Sequence, residues 1–417
     1  MLRKIGRNAL WMILEQALKV VTLFFVTAYV ARSVGPDGFG QISYALAIAA
    51  IASAICKIGF DSTLVREVAQ FPEKSDHLLG TAITISFITS LIICGTLILI
   101  FSGSDVESRA VQIIIFGVLF QCLSPIEYYF QAQNKFALSS LARILSNILA
   151  ALSKLTVVYL KLDVLWLACA YALDFVLSAV FFYLFFKTEK LQLKIYKELS
   201  QVREMLKGSV SLTVAALASI LYMRIDQFMI KKMLGAYELG LYSAAARLYE
   251  GWMLVPYILS VAALPLLAKA HKTSRKSFNA ILQKIASSLI WLGVVVALLC
   301  LLFGNKIIEL FFGVQYKDAG IVFVILMMSA PLTALGSISV RFFMIKKKER
   351  ALIWRTGVAL VINFCLNYLL IPKYGIAGSA FSTLVSLFVA NYALIYLNKD
   401  FLIFRVLVNR AIFPLKR

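Results

Sequence analysis

Apolar residues in this chain fall in long uninterrupted runs and not in alternation. Twelve stretches, each about as long as a bilayer is thick, cover 9–31, 41–60, 80–102, 110–130, 137–160, 164–186, 209–230, 239–268, 285–303, 319–340, 351–371 and 375–397. A helix needs roughly 20 apolar residues to cross a hydrocarbon core about 30 Å thick. Only helices and closed barrels satisfy their backbone in lipid, and these runs lack the period-two pattern of a barrel strand. The pattern predicts an all-α integral membrane protein with about 12 transmembrane helices.

Charge refines the picture. The chain is 61 % hydrophobic and 15 % charged, with a formal net charge of +21. Such a balance could signal nucleic acid, but its distribution points elsewhere. With the N-terminus inside, 28 of the 42 Lys and Arg fall in cytoplasmic loops and tails and 8 in external turns. That count places Lys57 in a cytoplasmic loop and Arg341 in another. The excess is a positive-inside signal with both termini cytoplasmic, and the basic loops are expected to touch anionic headgroups of membrane lipids. No nucleic-acid partner is expected. Met1–Arg7 is basic, but the first span is full length, so a cleavable signal peptide is not expected. The six cysteines form no CxxC and the two histidines, His77 and His271, sit in expected loops. They read as small apolar filler and loop residues, with no metal site.

The chain divides in two. A basic cytoplasmic linker at 187–207 separates an N-terminal six-helix lobe, 1–186, from a C-terminal one, 208–398, and a basic cytoplasmic tail follows at 399–417. SVGPDGFGQISYALA at 33–47 aligns with MLGAYELGLYSAAAR at 233–247, matching Gly35 with Gly235 and Gly40 with Gly240. Glycine at these external turns permits positive φ and close helix approach. A weaker echo joins 131–143 to 345–355, each leading to an arginine, Arg143 and Arg355. An even number of spans per half makes the repeats parallel, as in transporters with a central cavity.

Charges inside spans are the candidate chemistry, because an ionised side chain there is costly and usually faces a polar interior. The first half offers Glu15, Lys19, Glu127, Arg143, Lys154 and Asp174; the second offers Arg224, Asp226, Arg247, Glu250 and Arg355. Glu15 and Lys19 stand i, i+4 and either neutralise each other or serve a ligand. Arg143, Asn147 and Lys154 share one helical stripe suited to phosphate and sugar hydroxyls, although Lys154 alone could snorkel outward. Arg224 and Asp226 point about 200° apart, since each residue turns the helix by about 100°, and cannot pair with each other. Arg247 and Glu250, at i, i+3, could supply their partners. Arginine binds phosphate through a planar fork, so Arg224, Arg247, Arg143, Lys154, Arg355, Asn147 and Lys19 are the candidate substrate contacts. Asp226, Glu15, Glu127, Glu250 and Asp174 are candidate counter-ions or H⁺/Na⁺-coupling acids. Interhelical ion pairing is the structural alternative for each. Pro125, Pro256, Pro265 and Pro331 fall inside spans and favour kinks. There is no P-loop, zinc motif or nucleophile elbow, and no catalytic residue is expected.

With these residues in view, the chain resembles the O-antigen or capsule repeat-unit flippases (Wzx-type). Gly35-Pro36-Asp37-Gly38-Phe39-Gly40 is similar to their (L/V)GPxxFG turn. Arg224-Ile225-Asp226, with Leu234-Gly235 and Gly240-Leu241-Tyr242-Ser243-Ala244, resembles the second-half signature. GVQYKDAGIVFVIL at 313–326 and YGIAGSAFST at 374–383 resemble the entries to spans 10 and 12. The resemblance covers essentially the whole chain. It implies a fold like that of multidrug and toxin extruders and lipid II flippases, with two six-helix lobes around a central cavity. It also implies export of undecaprenyl-pyrophosphate-linked oligosaccharide across a bacterial inner membrane by alternating access, with ion coupling and no other cofactor. A polysaccharide polymerase and a chain-length regulator are the implied partners. A drug/cation antiporter on the same fold is the alternative.

Overall fold

The computed structural model describes residues 11, 14–189, 191–196, 198–397, 405 and 409. The tail at 399–417, apart from Arg405 and Asn409, lies outside them, as do most of 1–13 and the linker residues Lys190 and Lys197. The described residues form helices and short connections without a strand. Nine of the helices are long and apolar enough to cross a membrane, or ten when a bent pair counts as one span. The expectation was twelve. The difference arises where spans run together: Leu14–Gln70 and Ala351–Tyr396 each cover two expected spans.

The chain forms two compact units, Met1–Leu221 and Tyr222–Arg417. The division falls inside a helix and not in the expected linker, because the chain is already helical again from Leu199. In the first unit a π-helical turn at Thr22–Val26 leads into α1 (Thr27–Lys57). Then come α2 (Phe60–Gln70), α3 (Ser75–Ile100), α4 (Val106–Leu119), α5 (Ser124–Ala132), α6 (Phe136–Tyr159) and α7 (Val164–Phe186). α8 (Leu199–Leu234) crosses the boundary. The second unit continues with α9 (Ala236–Thr273), α10 (Arg275–Phe312), α11 (Ala319–Met328), α12 (Ala330–Ile345) and α13 (Glu349–Phe388).

Within the first unit α7 packs on both α4 and α6, and α1 on α4. A core of Phe60, Leu79, Ile126, Phe130 and Phe182 ties α2, α3, α5 and α7 together. In the second unit α10 packs on α9, α11 and α12 around Leu267, Phe278, Leu282 and Phe342. The matched glycines carry matched backbones. Gly35 has φ 70, ψ 174 and Gly235 has φ 98, ψ −176. This region is essentially confined to glycine. No atom would obstruct a Cβ at either position, so the requirement is conformational. Gly40 and Gly240 lie buried in the helices that follow.

Two prolines act where the sequence placed kinks. Pro125 starts α5 after a 3₁₀ turn at Phe120–Leu123, and Pro331 starts α12, bent by 44° from α11. Proline lacks the N–H that would continue the preceding helix, but fits the first turn of the next. Pro256 and Pro265 stay inside α9.

The connecting segment is held down on the first unit. The Lys194 backbone N–H donates to the Asp76 carbonyl at 3.1 Å, and that of Tyr196 to the Thr81 hydroxyl at 3.0 Å. His77, in the first turn of α3, stacks on Tyr196 with ring centroids 5.1 Å apart. Lys135 binds Glu189 at 2.6 Å. All six cysteines are free.

Candidate functional site

The first unit encloses a cavity of about 540 Å³. The N-terminal helix contributes Glu15, Gln16 and Lys19, the end of α1 contributes Lys57, and the α4–α5 break contributes Gln121, Ser124 and Glu127. α6 adds Ser140, Arg143 and Asn147, and α7 adds Asp174 and Ser178. The helix break before Pro125 is what turns polar Gln121 and Ser124 into this space.

Arg143 is the best-anchored cation here. Its Nε donates to Glu127 at 2.8 Å, its second amino group bonds the other Glu127 oxygen, and Nε lies 4.0 Å from Glu15. Its guanidinium sits 5.6 Å from the centre of the Phe182 ring. The fork-to-fork geometry is the strong form of this interaction. Because Glu15 reaches Arg143, it is not set aside for Lys19. Lys19 and Lys57 both line the cavity, and neither has an ion pair with a described residue.

The shared stripe of Arg143, Asn147 and Lys154 does not hold as one surface. Asn147 lines the cavity with Arg143, but Lys154 is buried at 6 % exposure, 3.8 Å from Asp174 and over the Tyr171 ring at 4.3 Å. Eleven residues set Lys154 about 16 Å along the helix from Arg143, so the two share a direction but not a depth.

In the second unit Glu250 holds two arginines. Arg224 Nη1 donates to one oxygen at 2.8 Å and Arg247 Nη1 to the other at 3.0 Å. Two fixed positive charges thus share one carboxylate. Asp226 departs from expectation. It takes no arginine; Tyr242 donates its hydroxyl to Oδ2 and the Gln227 backbone N–H donates to Oδ1 at 2.8 Å. Both residues reach α9, but at different positions along it: Arg224 meets Glu250, and Asp226 meets Tyr242 eight residues earlier. A cavity of about 60 Å³ lies beside it, lined by Tyr222, Asp226, Tyr242, Tyr249, Glu250 and Thr383. That is room for a few water molecules or a bare ion, not for a diphosphate.

Arg355 donates to the Ser339 hydroxyl at 2.5 Å. Arg341, assigned from sequence to a cytoplasmic loop, lies instead on α12 at 9 % exposure. Its Nε donates to the Ser260 hydroxyl at 3.3 Å, and the guanidinium lies 5.3 Å from the centre of the Tyr257 ring. Neither arginine has a carboxylate partner among the described residues. Lys57 and Arg341 were both missed for the same reason. A cation at the end of an apolar run looks like a loop residue until packing places it: Lys57 closes α1 at the cavity wall and Arg341 lies within α12.

A membrane transporter architecture of known type accommodates all of these features. The inward-facing conformation of a multidrug resistance MATE family transporter of the MOP superfamily superposes with a TM-score of 0.75 at 15 % identity, covering 96 % of this chain and 98 % of that one. Lipid II flippase MurJ, in an inward closed conformation, gives 0.70 at 16 % identity, covering 97 % and 90 %. The chain therefore shares its fold with these two proteins. Residues 5–271 match the model of the polysaccharide biosynthesis protein family, and the chain belongs to that family. It is 22 % identical over 403 residues to the capsular polysaccharide biosynthesis protein CapF of Staphylococcus aureus, covering 94 % of this chain and 99 % of that protein. It is 23 % identical to a Shigella flexneri protein assigned as an O-antigen transporter, covering 90 % and 93 %.

Proposed function

We propose that the protein flips undecaprenyl-pyrophosphate-linked oligosaccharide repeat units from the cytoplasmic to the periplasmic leaflet of a bacterial inner membrane by alternating access. It works as a transporter and not as an enzyme. Both termini face the cytoplasm, and the six-helix lobes of the sequence reading form its two working halves. The observation that carries this reading is the polar cavity of the first unit, where Lys19 and Lys57 stand without an ion pair among the described residues. Two ammonium groups outside ion-pair distance of any described carboxylate suit a diphosphate, in a cavity that Glu15, Glu127 and Asp174 also line, and the surrounding Gln16, Ser140, Asn147 and Ser178 suit sugar hydroxyls. The closed pair Arg143–Glu127 shapes that surface and adds donors at its edge. Arg224, Arg247 and Arg355 are the candidate cationic contacts of the second unit.

Asp226 is the coupling acid in this scheme. It lies beside a space of ion size and takes up H⁺ or Na⁺ as transport proceeds. A polymerase and a chain-length regulator would receive the exported unit. The same acid supports the second reading, a drug/cation antiporter, because Asp226 is not neutralised by an arginine.

Replacing Lys57 by Ala tests the first reading. Surface polysaccharide should fall at least about ten-fold, the effect of losing one charge-assisted contact. The amount of protein in the membrane fraction should not change. Normal surface polysaccharide in this variant would remove Lys57 from the site. A raised susceptibility to cationic drugs on deletion, with intact polysaccharide, would favour the antiporter.

A further inference from the structure

Arg355 and Ser339 have a counterpart in the other unit. Glu127–Arg143 and Ser339–Arg355 each join two helices across a short turn, and the members of each pair stand sixteen residues apart. Both turns hold one residue in the left-handed region, Asn134 at φ 55 and Lys347 at φ 54. The same backbone closure follows: Lys135 N–H to the Phe130 carbonyl at 2.8 Å, Lys348 N–H to the Phe343 carbonyl at 2.9 Å. The second pair is one residue out of step with its turn, yet makes the same cross-helix contact.

The partners differ in charge. Glu127 is a carboxylate that engages Arg143 with both oxygens. Ser339 offers a single hydroxyl oxygen, which also donates to the Gly336 carbonyl at 2.8 Å. It can orient a guanidinium but cannot offset its charge. Arginine has five N–H donors and remains charged under all ordinary conditions. No carboxylate of a described residue lies within ion-pair distance of Arg355. A cation kept at membrane depth without an acid belongs to a ligand pathway more often than to a scaffold.

We propose that Arg355 is a specificity-determining contact for the anionic group of the transported molecule, a phosphoryl or carboxylate presenting two oxygens, and that serine at position 339 is what leaves it open. The flippase reading supplies the identity of the carrier; the anion preference stands on this pair. The carrier could present its phosphates on a lipid or as a free diphosphate.

Ser339→Asp supplies the missing acid at the contact point. Were Arg355 only a helix tie, the new ion pair would leave binding unchanged and hold or raise the Tm. As a ligand contact, it should hold its Tm while binding of undecaprenyl pyrophosphate to the purified full chain weakens about ten-fold or more, the scale of one lost charge-assisted contact. Ser339→Ala, which leaves the arginine open, should bind within about three-fold of the unsubstituted protein, the size of a lost neutral hydrogen bond. Inorganic pyrophosphate is the second probe: weakened binding of both probes marks a site for the diphosphate itself, and weakening of the lipid alone marks a site reached from the bilayer. If Ser339→Asp does not fold, Arg355→Gln decides, with the same loss expected. Unchanged binding in the folded variant, or an unsubstituted protein that binds neither probe, overturns the proposal. An unsubstituted protein that binds the lipid diphosphate but does not restore surface polysaccharide sinks the flippase reading and leaves this one standing.

Discussion

Glu250 shows how much one side chain can hold. Its two oxygens serve Arg224 and Arg247, so neutralising it strands two buried guanidinium groups together. Glu250→Gln should lower stability by about 3 kcal/mol, the usual consequence of breaking a buried pair from one side, read as a drop in Tm of the purified protein. An unchanged Tm would mean that the arginines already have other partners. The Glu250 cluster was legible from sequence, because i, i+3 spacing put Arg247 beside Glu250 and the facing of Arg224 demanded a partner. The Asp226–Tyr242 bond was not. Tyr242 is one of 18 tyrosines, and nothing in its spacing separates a hydroxyl that meets an acid from one that meets lipid. Lys57 failed differently: a lysine at the end of an apolar run satisfies the positive-inside pattern equally well in a loop or in a cavity.

Among the elements, the segment 191–196 departs furthest from its sequence impression. Set inside the basic stretch 187–207 and flanked by glutamates, it reads as a solvated linker. In the structure it lies along the start of α3, so close that a Cβ on Gly80 would strike the Lys194 backbone. Gly80→Ala should therefore lift the segment, exposing Lys194 to trypsin while the transmembrane helices remain intact. Cleavage no faster than in the unsubstituted protein would show that the segment is held by its other contacts alone. The helix breaks at Pro125 and Pro331 were foreseeable from proline chemistry. That the break at Pro125 opens Gln121 and Ser124 to a cavity was not, since it depends on packing against helices distant in sequence. At Gly35 and Gly375, read as turns between separate spans, the backbone is non-helical, with φ 70, ψ 174 and φ 59, ψ −143, and two helices meet at a kink.

At the scale of the molecule, membrane character was visible at once, because apolar length survives without tertiary information, and the paired glycines were visible as a recurring motif. The orientation expected from the charge count has a direct check. A reporter active only in the periplasm should work when inserted at Gly103, between α3 and α4, and fail when fused after Arg417. The reverse result would invert the topology and with it the direction of transport. The boundary between compact units was less legible, since a charged linker draws the eye while α8 carries the chain on to residue 221 before the packing changes.

The twin glycines have a historical consequence. Were the two halves copies of one segment, they would have drifted apart wherever residues can be exchanged, and Arg143 meeting a carboxylate where Arg355 meets a hydroxyl is a difference of that kind. At residues 35 and 235 the backbone admits a single amino acid, so drift has nowhere to go. Those two bends are where any common origin of the halves should outlast every other trace.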